Sequence, residues 1–171
     1  MNDTFEYAFG GCNRALARRW INPDGSDGGI VALDAIVAAG LVIPADAVVW
    51  PGARIGDGAS IGYGASIGRG ASIGRGASIG YGASIDVDDW WLSGGPCGSR
   101  NAFWTAVWSP KNGLRWWIGC QHGITTDTLR IEIAQTHGEN EHAQDYAAVI
   151  AFVEGHPGLA RAKTAANEVQ P

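Results

Sequence analysis

The residues best suited to chemistry lie in a glycine-rich stretch in the second half of the chain, Gly94-Gly95-Pro96-Cys97-Gly98-Ser99-Arg100-Asn101. Successive backbone N–H groups in such a turn can bind an anion, and Ser99 and Arg100 would add a hydroxyl and a bidentate guanidinium. The stretch matches neither a P-loop nor a dinucleotide-binding fingerprint. It therefore predicts a site for a small phosphate-bearing ligand at Gly98, Ser99, Arg100 and Asn101, with a plain β-turn as the alternative.

Tryptophans near this stretch are candidates for a wall on which a nucleotide-like ligand would stack. The chain has eight tryptophans, and the ligand-binding candidates among them are Trp91, Trp104 and Trp116. Adjacent tryptophans on a strand point to opposite faces, so one of each pair must lie in the core or at a subunit contact. Packing in the core or at an interface is the alternative for these aromatic residues in general.

Cysteine and histidine side chains form a second set of candidates, since both are zinc ligands. Cys120, His122, His137 and His142 follow the spacing C-x-H and then H-x4-H, which is not a standard zinc-finger pattern. We predict no metal site and no cofactor, with this set as the minor alternative. His137 and His142 are expected to cap or link two helices. A nucleophilic Cys97 or Cys120 with a histidine base is a further alternative without a local signature.

Composition and charge limit the class of protein. The 171 residues carry a formal net charge of −5, which argues against a general nucleic-acid or anionic-membrane surface. Three widely spaced cysteines, Cys12, Cys97 and Cys120, make a disulfide framework unlikely and favour a reducing cytoplasm. The N-terminus does not read as a signal peptide, and no run reaches the ~18 apolar residues of a membrane span. We predict a cytoplasmic protein.

A repeat of six residues dominates the middle of the chain. From Ile55 the unit is nearly invariant, reading IGDGAS, IGYGAS, IGRGAS, IGRGAS and IGYGAS. This period fits neither an α-helix nor one long strand, but it fits a chain that makes a short strand, turns and repeats. Three units would close a triangular coil of 18 residues, so residues 18 apart stack. The aliphatic positions, expected to point inward, are Ile43, Val49, Ile55, Ile61, Ile67, Ile73, Ile79 and Ile85.

Residues 41–87 resemble the hexapeptide-repeat family, whose members coil as left-handed parallel β-helices. The resemblance implies a homotrimer, and outward serines (Ser60, Ser66, Ser72, Ser78, Ser84) make such close packing plausible. Acyltransferases of this family use a histidine near the β-helix as general base, and its carbonic anhydrases hold a metal with histidines. The chain has no histidine before His122, so catalysis by the β-helix is not expected.

The two ends complete a mainly β fold. Residues 1–40 are predicted as a helical N-terminal cap, with helical turns over Asn13–Trp20 and a helix ending at Gly40. Val31 and Val37 also continue the six-residue phase, so Ile30–Ala39 is ambiguous. Residues 88–157 are predicted as a small α+β domain, and 158–171 as a frayed tail.

The α+β domain is expected to contain three strands and two helices. The strands are Trp90–Leu92, Asn101–Trp108 and Leu114–Gly119, with GGPCGS as a turn and SPKNG as a hairpin loop. One helix starts near Thr126 and ends at Gly138, and a second covers Asn140–Glu154. The motifs GPCGSRNAF, NGLRWWIGC and THGENEHAQDY are similar to a small domain found in hexapeptide proteins of phages and prophages.

These features predict a non-catalytic homotrimer, of phage or prophage origin, that binds a host protein or a small phosphate-bearing, nucleotide-like ligand. The C-terminal domain or the subunit interfaces would carry the site. One alternative is an acyltransferase with His122, His137 or His142 as its base. The other is a structural component of a virion, although the repeat is short for a fibre shaft.

Overall fold

The computed structural model describes residues 4–10 and 13–168. The chain forms two compact units, Met1–Val87 and Asp88–Pro171. The first is built from short strands and the second from a sheet with three helices. Among the described residues, no helix is long and apolar enough to cross a membrane. Cys12 lies outside the described residues.

The first unit is a parallel β-solenoid of about three turns. A left-handed glycine φ near +70° recurs at its corners, for example at Gly58 (+69°) and Gly64 (+65°), and these turns limit the later strands, from residue 36 to residue 85, to two residues each. The strands of the unit are β1 (Thr4–Ala8), β2 (Arg14–Ile21), β3 (Asp27–Ala32), β4 (Ile36–Val37), β5 (Val48–Val49), β6 (Arg54–Ile55), β7 (Ser60–Ile61), β8 (Ser66–Ile67), β9 (Ser72–Ile73), β10 (Ser78–Ile79) and β11 (Ser84–Ile85).

Three parallel sheets form the faces of the solenoid, in the orders β3-β5-β8-β11, β4-β6-β9 and β7-β10. Every parallel pair joins residues 18 apart, as in Ile61 with Ile79 and Ile67 with Ile85. The predicted 18-residue stacking is therefore confirmed. At a corner, the N–H of Gly82 donates to the carbonyl of Tyr63 at 2.8 Å, which holds successive coils in register.

The interior of the solenoid is the predicted aliphatic column. Ile43, Val49, Ile67 and Ile85 are fully buried, and the other repeat isoleucines are at most 6% exposed. The preceding alanines fill the space between them, with Ala53 and Ala83 also fully buried. The serine next to each isoleucine is exposed or half-buried, which confirms the outward position assigned to it.

The predicted helical N-terminal cap is wrong. Residues 14–21 form strand β2, which pairs antiparallel with β1 on one side and with the open edge of β3 on the other. The edge of β3 offers unpaired backbone groups, and pairing with them overrides the local helix propensity of the segment. Trp20 fixes this arrangement, because its Nε1 donates to the carbonyl of Leu41 at 2.9 Å.

The helix predicted to end at Gly40 is also wrong. Residues 27–32 form β3 and residues 36–37 form β4. The segment therefore follows the six-residue repeat to which Val31 and Val37 belong, instead of forming a helix. Val31 is fully buried in the solenoid interior. Gly40 has a φ of +79° and turns a corner of the first coil rather than ending a helix.

The second unit is a four-stranded antiparallel sheet in the order β12-β13-β14-β15, packed against helices. Side chains from alternate positions of the two central strands, Trp104, Ala106, Trp116 and Ile118, form its core with residues of the first two helices. The elements are β12 (Trp90–Cys97), β13 (Ala102–Ser109), β14 (Gly113–Ile118), β15 (Gln121–Thr125), α1 (Thr126–His137), α2 (Glu141–Glu154) and α3 (Pro157–Glu168).

Helix α1 confirms both of its predicted ends. The hydroxyl of Thr125 accepts from the N–H of Thr128 at 3.1 Å, and Gly138 follows the last residue with a φ of +57°. Helix α2 starts one residue later than predicted because Asn140 is its N-cap.

Three other expectations for this unit need correction. The predicted strand Trp90–Leu92 continues through a bulge to Cys97, so the turn is confined to residues 98–101. Strand β15 was not predicted, because Gly119 turns the chain back at once along β14. The predicted frayed tail is wrong for residues 158–168, which belong to helix α3 with Leu159 buried, and residues 169–171 lie outside the described residues.

Candidate functional site

A cavity of about 260 Å³ in the second unit brings together residues that the sequence placed in two separate candidate sites. It lies between the β12–β13 turn, the β14–β15 turn and the first two helices. Polar groups of several kinds line it over an apolar floor. The lining residues are Ser99, Arg100, Ile118, Gly119, Cys120, Gln121, Leu129, Glu132, Ile133, Thr136, His137 and Tyr146.

The β12–β13 turn presents Ser99 and Arg100 to the cavity. The turn closes with a hydrogen bond from the N–H of Asn101 to the carbonyl of Gly98 at 3.0 Å. Both ends of the turn adopt left-handed backbone, with φ of +64° at Gly98 and +51° at Asn101, and glycine and asparagine tolerate this region best. Of the four residues predicted here, Ser99 and Arg100 line the cavity, while Gly98 and Asn101 shape the turn.

Tyr146 holds the turn in place from below. It is 8% exposed, and a Cβ added to Gly98 would overlap its ring at Cζ and Oη. Burial raises the pKa of the Tyr146 hydroxyl, the nearby Cys97 adds to this, and a hydrogen bond with the Ser99 side chain acts in the opposite direction. The hydroxyl is therefore neutral at physiological pH and able to donate a hydrogen bond to a ligand.

The junction of α1 and α2 positions two histidines beside this tyrosine. The ring of His137 stacks on Tyr146 with centroids 5.6 Å apart, and His142 meets His137 edge-on at 5.7 Å. The Asn140 side chain starts α2 by accepting from the N–H of Ala143 at 3.1 Å. His137 and His142 thus pack at the helix junction, the linking position predicted for them, and His137 also lines the cavity.

Opposite charges face the same space. Arg100 comes from the turn and Glu132 from the middle of α1. Within residues 4–10 and 13–168, the ion pairs join Arg14 to Glu6 and Arg130 to Asp127 and Glu154, so Arg100 and Glu132 both lack an ion-pair partner. Both charges are therefore available to a bound molecule.

The two described cysteines differ in environment. Cys97 is buried in the core, and burial together with the nearby Asp145 raises the pKa of its thiol to about 11. It is protonated at neutral pH, which disfavours it as a nucleophile. Cys120 is exposed and lines the cavity with His137, although the two residues are 17 positions apart in the sequence.

The tryptophan candidates lie elsewhere. Trp104 and Trp116 are 5% and 0% exposed, contact each other with ring centroids 6.2 Å apart, and belong to the core. The Nε1 of Trp116 donates to the hydroxyl of Thr126 at 2.9 Å. Trp91 is half-buried and pairs with Val107, whose side chain is on the sheet face opposite Trp104. The burial of Trp104 and Trp116 favours the packing interpretation for these two.

The alternative metal set is not assembled. Cys120 and His137 share the cavity, and His142 lies beside His137. His122, on β15, pairs with Trp117 of the neighbouring strand β14. Among the described residues, no three His, Cys, Asp or Glu side chains come close enough to hold a metal ion.

Four polar side chains of the cavity were not identified as functional candidates from the sequence, namely Gln121, Glu132, Thr136 and Tyr146. Their convergence depends on how two helices pack on a sheet, and no local spacing encodes that.

Comparison of the chain with models of known families, with curated proteins and with solved structures finds no match. The cavity is therefore interpreted from its own geometry.

Proposed function

We propose that this protein binds a small phosphate-bearing ligand in the cavity beside the Ser99–Arg100 turn and does not transform it. The observation that carries this proposal is the guanidinium of Arg100, which has no ion-pair partner in the described part of the chain and lines a cavity beside hydroxyls and an imidazole. Arginine binds phosphate oxygens bidentately, and Ser99, Thr136 and Tyr146 supply hydroxyl donors beside it. The ligand would bind without a metal or a cofactor.

The solenoid would serve as the assembly core. We propose that it is a left-handed hexapeptide β-helix, of phage or prophage origin, that brings three copies together. Small outward side chains support close packing, since Ser60 and Ser72 are exposed on two different faces. Ile36 and Val42, at outward positions of the first coil, are 58% and 57% exposed, and contact with another copy would bury them. A host protein remains the alternative partner for the C-terminal unit.

Thermal stabilisation tests the ligand proposal. Inorganic phosphate, ribose 5-phosphate and nucleoside monophosphates would be added to the intact protein during unfolding. We expect at least one phosphate compound to raise the midpoint temperature, because a ligand that binds only the folded state stabilises it. Arg100→Ala should abolish the increase, while Arg161→Ala, which removes the same charge from exposed helix α3, should retain it. Equal responses of the two variants would contradict the proposal.

Acyl transfer is a second candidate, favoured by one observation: His137 lines the same cavity as the nucleophile types Ser99 and Cys120. Turnover of acetyl- or succinyl-coenzyme A by the intact protein, lost in His137→Ala and kept in His156→Ala, would establish it. His156 is a suitable control because it packs against Trp90 in the same unit and does not line the cavity.

A further inference from the structure

The cavity contains a negative charge that phosphate binding alone does not explain. Glu132 lines the same space as Arg100 and, like Arg100, has no ion-pair partner among the described residues. A bare phosphate would gain from Arg100 but be repelled by Glu132. A ligand that also carries hydroxyl groups would turn Glu132 into a favourable acceptor, because an ionised carboxylate accepts several hydrogen bonds.

Other lining residues extend the set of groups that recognise hydroxyls. Thr136 lies one helical turn after Glu132 on α1 and therefore on the same face of the helix. Gln121 adds a side-chain amide from the start of β15. The cavity thus combines hydroxyl, amide and carboxylate side chains with an apolar floor formed by Ile118 and Leu129. This combination suits a polyol that has one hydrophilic and one less polar side.

Size and the absence of a stacking surface argue against a whole nucleotide. A volume of about 260 Å³ is below the ~300–1,000 Å³ typical of sites for drug-sized ligands. The lining, all of it within the described residues, contains no tryptophan. The one lining tyrosine, Tyr146, already stacks on His137 and lies against Gly98, so its ring is not free to stack on a base.

We infer that the ligand is a phosphorylated sugar or polyol. Its phosphate binds Arg100 and Ser99, and its hydroxyl groups donate to Glu132 at the α1 side of the cavity. This inference rests on the proposed phosphate binding and adds the part of the ligand that the phosphate site does not specify.

The test measures dissociation constants of ribose 5-phosphate, inorganic phosphate and adenosine monophosphate for the intact protein and for Glu132→Ala. We expect Glu132→Ala to weaken ribose 5-phosphate at least about tenfold, the effect of losing hydrogen bonds to a charged group, and to leave phosphate binding unchanged or tighter. The matched control is Glu139→Ala, which removes an exposed carboxylate outside the cavity and should change neither constant.

Two outcomes would overturn the inference while leaving phosphate binding intact. One is that Glu132→Ala changes the affinities for ribose 5-phosphate and for inorganic phosphate by the same factor. The other is that adenosine monophosphate binds the unmodified protein as tightly as ribose 5-phosphate does. Failure of all three compounds to bind the unmodified protein would overturn the proposed function itself, and the inference with it.

Discussion

Gly98 lies directly against the ring of Tyr146, so that residue 98 has no room for a side chain. A Cβ at this position would overlap Cζ and Oη of the tyrosine, and the φ of +64° is itself unfavourable for other residues. The contact ties the turn that carries Ser99 and Arg100 to helix α2. The geometry of the cavity therefore depends on this glycine.

Gly98→Ala should lower the unfolding free energy of the second unit by more than the strain of placing alanine at a positive φ explains. The matched control is Gly113→Ala in the next hairpin, where φ is +67° and no atom of the described residues lies within 4 Å of the added Cβ. We expect about 1–2 kcal/mol for Gly113→Ala and a further ~1–3 kcal/mol for Gly98→Ala from overpacking. Urea unfolding followed by tryptophan fluorescence measures both. Equal losses would show that the ring contact is unimportant.

A double substitution isolates the contact. In a Tyr146→Ala background the ring is gone, so adding Gly98→Ala should cost no more than Gly113→Ala does. If Gly98→Ala still costs more stability than Gly113→Ala in that background, the added Cβ clashes with a neighbour other than Tyr146.

The solenoid makes an equally specific prediction at the second position of its repeat. A Cβ at Gly62 would meet the backbone of Gly80 in the next coil at 2.6 Å, whereas a Cβ at Gly74 would meet no atom within 4 Å in the part of the chain that the structure describes. We expect Gly62→Ala to lower the unfolding free energy by ~1–3 kcal/mol or more, because backbone cannot move aside. Gly74→Ala should be neutral or slightly stabilising. Circular dichroism during denaturation measures the difference, and similar values would contradict the stacking of coils.

This part of the fold was accessible from sequence because each repeat restates the same local rule. Ile, Gly, corner residue, Gly, Ala and Ser recur at fixed positions, and the strand pairs that they predict from Ile55 onward are present. The N-terminal segment lacks such repetition. The strand at Arg14–Ile21 is decided by the open edge of β3, a tertiary feature that helix propensity does not register.

The candidate site was accessible only in part. Turn chemistry identified Ser99 and Arg100, and helix caps placed His137 and Asn140 at their boundaries. The meeting of these groups with Glu132 and Tyr146 follows from the packing of α1 and α2 on the sheet. Strand β15 was not predicted from the sequence, so the way in which the two helices pack on the four-stranded sheet could not be derived.

The buried thiol of Cys97 predicts a loss of stability at alkaline pH. Burial, with a contribution from Asp145, raises its pKa from 9.0 to about 11 in the folded protein. The folded state therefore holds this proton more tightly than the unfolded state, so its stabilising effect is full below pH 9 and is lost as pH rises towards 11. The loss is on the order of 1–3 kcal/mol, since partial access of solvent to the thiol screens the effect. Urea unfolding at intervals from pH 8 to 11 measures it.

Cys97→Ala is the control for that measurement. The variant lacks the titrating group and should show a smaller alkaline decline, retaining only the contribution of other groups such as Tyr146, whose pKa is also raised. A decline as steep as that of the unmodified protein would contradict the assignment to Cys97.

The proposed assembly predicts a mass of three times the 17.9 kDa chain in solution. Val42→Asp, at an outward and exposed position of the solenoid, should lower the mass, because a charge would be buried in the contact. Ile131→Asp alters a similarly exposed aliphatic residue on α1 and should leave the mass unchanged. Light scattering measures both, and a monomeric unmodified protein would contradict the assembly proposal.

Isothermal titration tests most directly whether Arg100 binds the phosphate of a small ligand. Ribose 5-phosphate would be titrated into the unmodified protein, Arg100→Ala and Arg161→Ala. We predict saturable binding to the unmodified protein and to Arg161→Ala, and an affinity at least about tenfold weaker for Arg100→Ala, as expected for loss of a charged hydrogen-bonding partner. Binding of equal strength to Arg100→Ala, or none to the unmodified protein, would contradict the claim.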